Sequence, residues 1–133
     1  MDLEDLTILQ GPFDVIIFNH GLGTFIDPVQ TVTESTALLA PGGMMIATGM
    51  TVFKDTSRIE AHFKAVRREF EEATGRDLFF KPTKGYLDLF DLKNLCSVGM
   101  AITKDRRLWR PNLRAMLYPS RPRFMYGVFR RNF

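Results

Sequence analysis

Gly11-Pro12-Phe13-Asp14-Val15-Ile16-Ile17-Phe18-Asn19-His20-Gly21-Leu22 is followed, about twenty residues later, by Leu38-Leu39-Ala40-Pro41-Gly42-Gly43-Met44-Met45-Ile46-Ala47-Thr48. Phe13 to Phe18 is a short apolar run rich in β-branched residues. Such a run is the pattern of a strand covered on both faces, as in a parallel sheet, and it is expected inside the domain. Asp27-Pro28 supplies a helix N-cap and then a proline at the first helical position, where a missing N–H costs nothing. The helix is predicted from about Pro28 to Leu39. Pro41-Gly42-Gly43 ends it in a tight turn, and Met44 to Thr48 is a second buried strand. Strand, helix and strand form a parallel crossover unit, right-handed in nearly all proteins, with Ile16 and Ile46 expected in the core.

Downstream, Ser57-Arg58-Ile59-Glu60 has the spacing of a capping box, and Ile59, Phe63, Val66, Phe70 and Ala73 recur at helical steps on one face. Gly75 is the expected stop. A shorter helix is predicted from about Leu87 to Val98, with Leu89, Leu92 and Leu95 on one side, Asp88 near its start and Gly99 closing it. Met100 to Thr103 and Arg123 to Arg130 read as strands, the second alternating Phe124, Tyr126 and Val128 against Met125 and Phe129.

The two opening stretches resemble the fourth strand, following helix and fifth strand of a class I S-adenosylmethionine-dependent methyltransferase. In that family an "FDvIi" strand leads into a loop beside the methyl donor, and "LkPGG" turns the chain into the next strand. DLKNLCSVGM is similar to the family helix that ends before the sixth strand, and RFMYGVFRR to the final antiparallel strand. Nothing here corresponds to the first strand with its GxGxG loop, the acid that closes the second strand, or most of the third. The resemblance therefore implies an α/β fold with a partial Rossmann-like sheet, strands 4 to 7 with flanking helices. Residues 1–103 would be the second half of the methyltransferase-like core, and residues 104–133 a basic, aromatic-rich segment that includes the last antiparallel strand.

The same resemblance names candidate cofactor contacts. Asp2, in Asp2-Leu3-Glu4-Asp5-Leu6, is similar to the acid that accepts a hydrogen bond from the adenine amino group; the competing reading is a solvated terminal acid. Asn19, His20 and Gly21 leave the carboxyl end of a central strand, where ligands bind in open parallel sheets, and in the family this loop lies against the methionine part of the cofactor. Gly21 and Gly23 are expected to permit close approach or positive φ. His20 is either a general base or a plain loop residue. Without the glycine loop, S-adenosylmethionine binding is expected to be weak or absent. No catalytic residue and no metal ligand set stands out. Asp14 and Pro41-Gly42-Gly43 read as structural, His62 as a surface histidine off the apolar stripe, and Cys96 as a buried small hydrophobe.

A chain of 133 residues is one domain by length, and its single cysteine excludes an internal disulfide. That usage fits an intracellular, reducing compartment, in the cytoplasm or an organelle matrix. The longest purely apolar run, Val15 to Phe18, is far short of the roughly 20 residues needed to cross a bilayer, so no membrane span is expected. Charge is unevenly divided. Residues 1–103 carry nine Lys/Arg against fourteen Asp/Glu, net −5, whereas residues 104–133 carry nine Lys/Arg against Asp105 alone, net +8. In the latter, Arg106, Arg107, Trp109, Arg110, Arg114, Arg121 and Arg123 interleave guanidinium and aromatic groups. That mixture suits RNA phosphate and bases or an acidic protein partner, and equally an outward-facing strand pair.

Three functions compete at this point. One is a methyltransferase-like subunit, not catalytic alone, that acts as a structural and interaction piece of a larger protein or ribonucleoprotein assembly, with another protein chain covering the open sheet edge. The second is an active methyltransferase whose first half lies on another chain or outside this sequence. The third is a small RNA-binding module.

Overall fold

The structure, a computed structural model, describes residues 6–78 and 83–133. The elements in chain order are β1 (Phe13–Asn19), α1 (Pro28–Ala37), β2 (Leu39–Phe53), α2 (Ser57–Thr74), β3 (Leu87–Asp88), α3 (Leu89–Ser97), β4 (Ala101–Lys104), α4 (Trp109–Leu117) and β5 (Arg123–Arg130). The main sheet runs β1-β2-β5-β4, and the two-residue β3 pairs with the carboxyl end of β2. β1 and β2 are parallel, with Ile16 opposite Met45 and Ile17 opposite Ile46. β5 is antiparallel to both β2 and β4.

Local chemistry accounts for most boundaries. Asp27 caps α1 by accepting the Gln30 N–H at 2.8 Å, and Pro28 follows at the first helical position. Asp88 and Asp91 form a reciprocal capping box on α3: Asp88 accepts the Asp91 N–H at 2.9 Å and Asp91 accepts the Asp88 N–H at 3.0 Å. Gly75 ends α2 with φ 66°, the left-handed conformation that favours glycine. The Arg131 guanidinium donates to the carbonyls of Thr36, Ala37 and Leu39. It closes the carboxyl end of α1 from the far end of β5 and complements the helix dipole there.

Four expectations need correction. α1 stops at Ala37, and Pro41-Gly42-Gly43 does not separate helix from strand: β2 begins at Leu39 and runs fifteen residues through them. Gly42 takes φ 77° inside that strand, against the Phe133 ring, so the tight geometry is absorbed as an irregularity in the β1–β2 register. The Ser57 capping box is not formed; Asp55 accepts both the Ser57 N–H and hydroxyl instead, at 3.0 and 2.7 Å, which lowers the Asp55 pKa. The stripe on α2 exists as a pattern, yet no residue of this helix is buried, and its attachment runs through Phe63 stacked on Tyr86 and Glu60 accepting the Tyr86 hydroxyl at 3.0 Å. Cys96 is exposed, on the outer side of α3, because Leu95 takes the inward position.

The core lies on one side of the sheet. Met45, Ala47, Met50 and Val52 of β2 pack with Val32 of α1, Leu95 of α3 and Met100, joined by half-buried Ile16 and Phe18 of β1. The other face differs. Val15 and Ile17 are 48% and 62% exposed, and their neighbours across the pair, Met44 and Ile46, are only half-buried. Among the described residues β1 is therefore an edge strand covered on one face, not a strand enclosed on both, and the core residue of its partner is Met45 in place of Ile46.

Candidate functional site

Asn19 is the last residue of β1, and its side-chain oxygen accepts the Thr48 hydroxyl at 2.8 Å, tying the ends of the two parallel strands together. His20 follows with φ 58°, a conformation a non-glycine residue adopts only when its surroundings fix it. Two contacts fix it here. Its N–H donates to the Thr48 carbonyl at 3.0 Å, and its ring lies so close over Gly49 that a Cβ there would meet Nδ1 at 2.1 Å. Gly49 itself has φ 62°. The imidazole is thus laid across β2 at the carboxyl end of the parallel pair, exposed, on a backbone that bends sharply away from β1.

Beyond His20 the loop closes as a 3₁₀ turn. The Gly21 carbonyl accepts both the Thr24 N–H at 3.0 Å and its hydroxyl at 2.6 Å, and Leu22 is buried. Gly21 has φ −98°, and a Cβ there would make only ordinary contact, 3.8 Å from the Asn19 carbonyl, so the positive φ belongs to His20. Gly23 does provide close approach: a Cβ would stand 3.2 Å from the Tyr86 backbone. The loop is therefore pressed against the segment leading into β3, where Thr83 donates to the Phe25 carbonyl at 3.2 Å.

That segment holds a cluster that sequence reasoning missed. Lys84 Nζ bridges Asp88 at 2.8 Å and Asp91 at 2.6 Å. Burial alone would lower the Lys84 pKa, but the two carboxylates outweigh it and hold the ammonium above its ordinary range. Burial would likewise raise Asp88, while Lys84 and the α3 backbone hold it below the usual carboxylate range. The Tyr86 phenol is pushed up by burial and by the Glu60 carboxylate it donates to. A cleft of about 510 Å³ lies beside it, between α2 and this segment, walled by Glu60, Phe63, Lys64, Arg67, Lys84 and Tyr86. Of its polar groups, Glu60 and Tyr86 pair with each other, Arg67 with Asp77, and Lys84 with Asp88 and Asp91. The sequence signal was available in the Asp88-to-Asp91 spacing, the length of a capping box, with Lys84 four residues earlier.

Of the other candidates, Asp2 lies outside the described residues. Arg106 and Arg107 sit in a 3₁₀ turn that Asp105 caps, and Trp109, Arg110 and Arg114 lie on α4, a helix that was not predicted. Its pattern was present as Trp109, Leu113 and Leu117 at steps of four; Pro111 falls in the first turn, where proline is tolerated. Arg110 stacks over the Trp109 ring at 5.4 Å and Arg121 over Tyr118 at 5.7 Å. Arg123 does not join them: it is half-buried at the start of β5, with Nε lacking a partner among the described residues. Among the described residues no three His, Cys, Asp or Glu side chains gather as metal ligands.

These features define an open mixed sheet with a tightly fixed loop at the carboxyl end of its parallel pair. No family model matches the sequence, and no curated protein matches it at the sequence level. Solved structures that share the fold include two methyltransferases. One is the plantazolicin methyltransferase BamL in complex with a triazolic desmethylPZN analog and SAH, with 19% identity over 96% of this chain and 56% of that one, at a TM-score of 0.50. The other is CrArsM, an arsenic (III) S-adenosylmethionine methyltransferase from Chlamydomonas reinhardtii, with 18% identity over 100% of this chain and 42% of that one, again at 0.50. The fold is methyltransferase-like, α/β with an open Rossmann-type sheet, and the chain spans about half the length of these structures. The Asn19–Gly23 loop lies at the carboxyl end of the parallel pair β1–β2.

Proposed function

We propose that this chain is a methyltransferase-like subunit that is not catalytic by itself and acts as a structural, partner-binding half of a larger assembly. One observation carries the reading. β1 is written as a largely apolar run, the composition of a strand enclosed on both faces, yet Val15 and Ile17 stand exposed on one of them and the strand's outer edge has no neighbour among the described residues. Strand and cover on that side come from another chain or from sequence outside these residues. Closing an edge removes a row of unpaired backbone groups, and burying the apolar side chains beside it contributes roughly 25 cal/mol per Å².

A second reading is supported by the loop. Asn19, Thr48 and Gly49 hold His20 in a strained conformation at the ligand-bearing edge, and strain of this kind concentrates at functional sites. In that reading the partner supplies the rest of the cofactor cleft and the pair methylates an acceptor. Calorimetric titration of the isolated chain with S-adenosylmethionine tests the favoured reading. It expects no binding or binding far weaker than micromolar; a dissociation constant in the low micromolar range, about −8 kcal/mol, would overturn it, because the chain would then hold the cofactor without a partner.

A further inference from the structure

We infer that the outward face of α4 docks on an anionic membrane surface. This helix is fastened to the fold from one side only. Asn112 and Ala115 are buried, and the Asn112 side chain takes the place of a strand neighbour, accepting the Phe124 N–H at 2.7 Å and donating to the carbonyls of Phe124 at 3.0 Å and Asp105 at 3.2 Å. At about 100° per residue, Met116, Trp109, Leu113 and Leu117 then fall on an arc of about 100° turned away from the protein, with Arg110 and Arg114 beside it. Exposure agrees: Trp109, Leu113 and Leu117 are 57%, 52% and 73% exposed.

The charge along this segment is basic. Eight arginines and no acidic residue lie from Arg106 to Phe133, and the carboxylates at its ends are Asp105, which caps the turn before α4, and Asp55, whose N–H donates to the Pro119 carbonyl after it. A protruding apolar ridge bordered by arginine is what an interfacial helix offers to lipid: aliphatic groups enter the acyl boundary, guanidinium groups reach lipid phosphate, and Trp and Tyr sit at headgroup level. Trp109 and Tyr118 already carry Arg110 and Arg121 over their rings. RNA fits this face less well, because bases and phosphates give Leu113, Met116 and Leu117 nothing to bury against. No helix among the described residues is long and apolar enough to cross a membrane, so the contact is with the surface. α4 joins β5 beside the carboxyl end of β2, where Arg123 pairs with Val52.

Trp109 is the single tryptophan of the chain, so its emission reports on this face directly. The test adds vesicles of phosphatidylcholine, with and without phosphatidylserine, to the full chain and follows both sedimentation with the vesicles and tryptophan fluorescence. Expected are co-sedimentation and a blue shift with phosphatidylserine only, both abolished in the L113E/L117E variant. The R110Q/R114Q variant should partition about thirty-fold more weakly. All the substituted side chains are exposed, and far-UV circular dichroism checks that the fold persists; if L113E/L117E unfolds, the arginine variant and the wild-type shift decide alone. The proposal is overturned by absence of vesicle binding, by equal binding to both vesicle types, or by binding that leaves Trp109 emission unshifted and is competed by poly(U), which would mark a polyanion site.

Discussion

The two faces of the β1–β2 pair are built from the same short sequence and meet different fates. On one, Ile16, Phe18, Met45 and Ala47 are packed under α1 and α3 into the core; on the other, Val15, Ile17, Met44 and Ile46 are exposed or half-buried. Residue type does not distinguish them, since both faces carry apolar side chains. The difference lies in which face the described helices reach. An apolar run without alternation has the composition of a strand covered twice, and the described residues cover it once, which is why the proposed reading takes this face as a seat for a neighbour.

Truncations on the two faces should therefore differ most. Leu95→Ala or Met45→Ala, each at a fully buried position, is expected to lower the unfolding free energy by about 2–5 kcal/mol in urea titrations. Ile17→Ser in the isolated chain should cost less than about 0.5 kcal/mol. Equal losses would erase the contrast between the faces.

Side-chain ties around the sheet fall between these extremes. Asn112→Ala strands the Phe124 N–H, while the Phe124 and Asp105 carbonyls keep the Asp105 and Leu108 N–H donors; the cost is about 1–3 kcal/mol, and the change should release α4 from β5, seen as faster amide exchange over Trp109–Leu117. Asp88→Ala removes the α3 cap at about 1 kcal/mol, whereas Asp88→Asn keeps the cap and loses the Lys84 pair. That pair has a defined pH window. The folded pKa of Asp88 is depressed, so its contribution is present above the unfolded value of about 3.9 and is lost as pH falls through the folded one. The folded pKa of Lys84 is raised, so its contribution is full below about 10.4 and disappears as pH rises through the folded value. Because both groups are partly exposed, the amplitude should stay below about 1 kcal/mol. Melting curves of wild type and Asp88→Asn across pH 3 to 5 should converge toward the acid end, within about that amplitude.

Much of this was legible in the sequence because it is local. The Asp27-Pro28 start of α1, the Gly75 stop of α2, the span of β5 and the parallel pairing of Phe13–Phe18 with Met44–Thr48 all rest on caps, glycine or periodicity, and each stands where it was expected. What was missed depends on neighbours distant in sequence. Pro41-Gly42-Gly43 reads as a turn, but the register with β1 and the Phe133 ring keeps it inside β2. α4 was hidden by its arginines and by Pro111, and only Asn112 bonded to β5 shows why it holds. At the site, the loop position of Asn19 to Gly23 was readable; that His20 and not Gly21 takes the left-handed conformation follows from Thr48 and Gly49, nearly thirty residues away.

The central claim is that the bare face and outer edge of β1 are a seat for another polypeptide, and sedimentation velocity over a range of concentrations tests it most directly. The account predicts that the isolated wild-type chain associates as concentration rises, through its exposed apolar face and unpaired edge, and that V15E/I17E, which charges that face without touching the core, sediments as a folded monomer. A wild-type chain that remains a stable monomer at every concentration, with β1 amides as protected from exchange as those of β2, would contradict it.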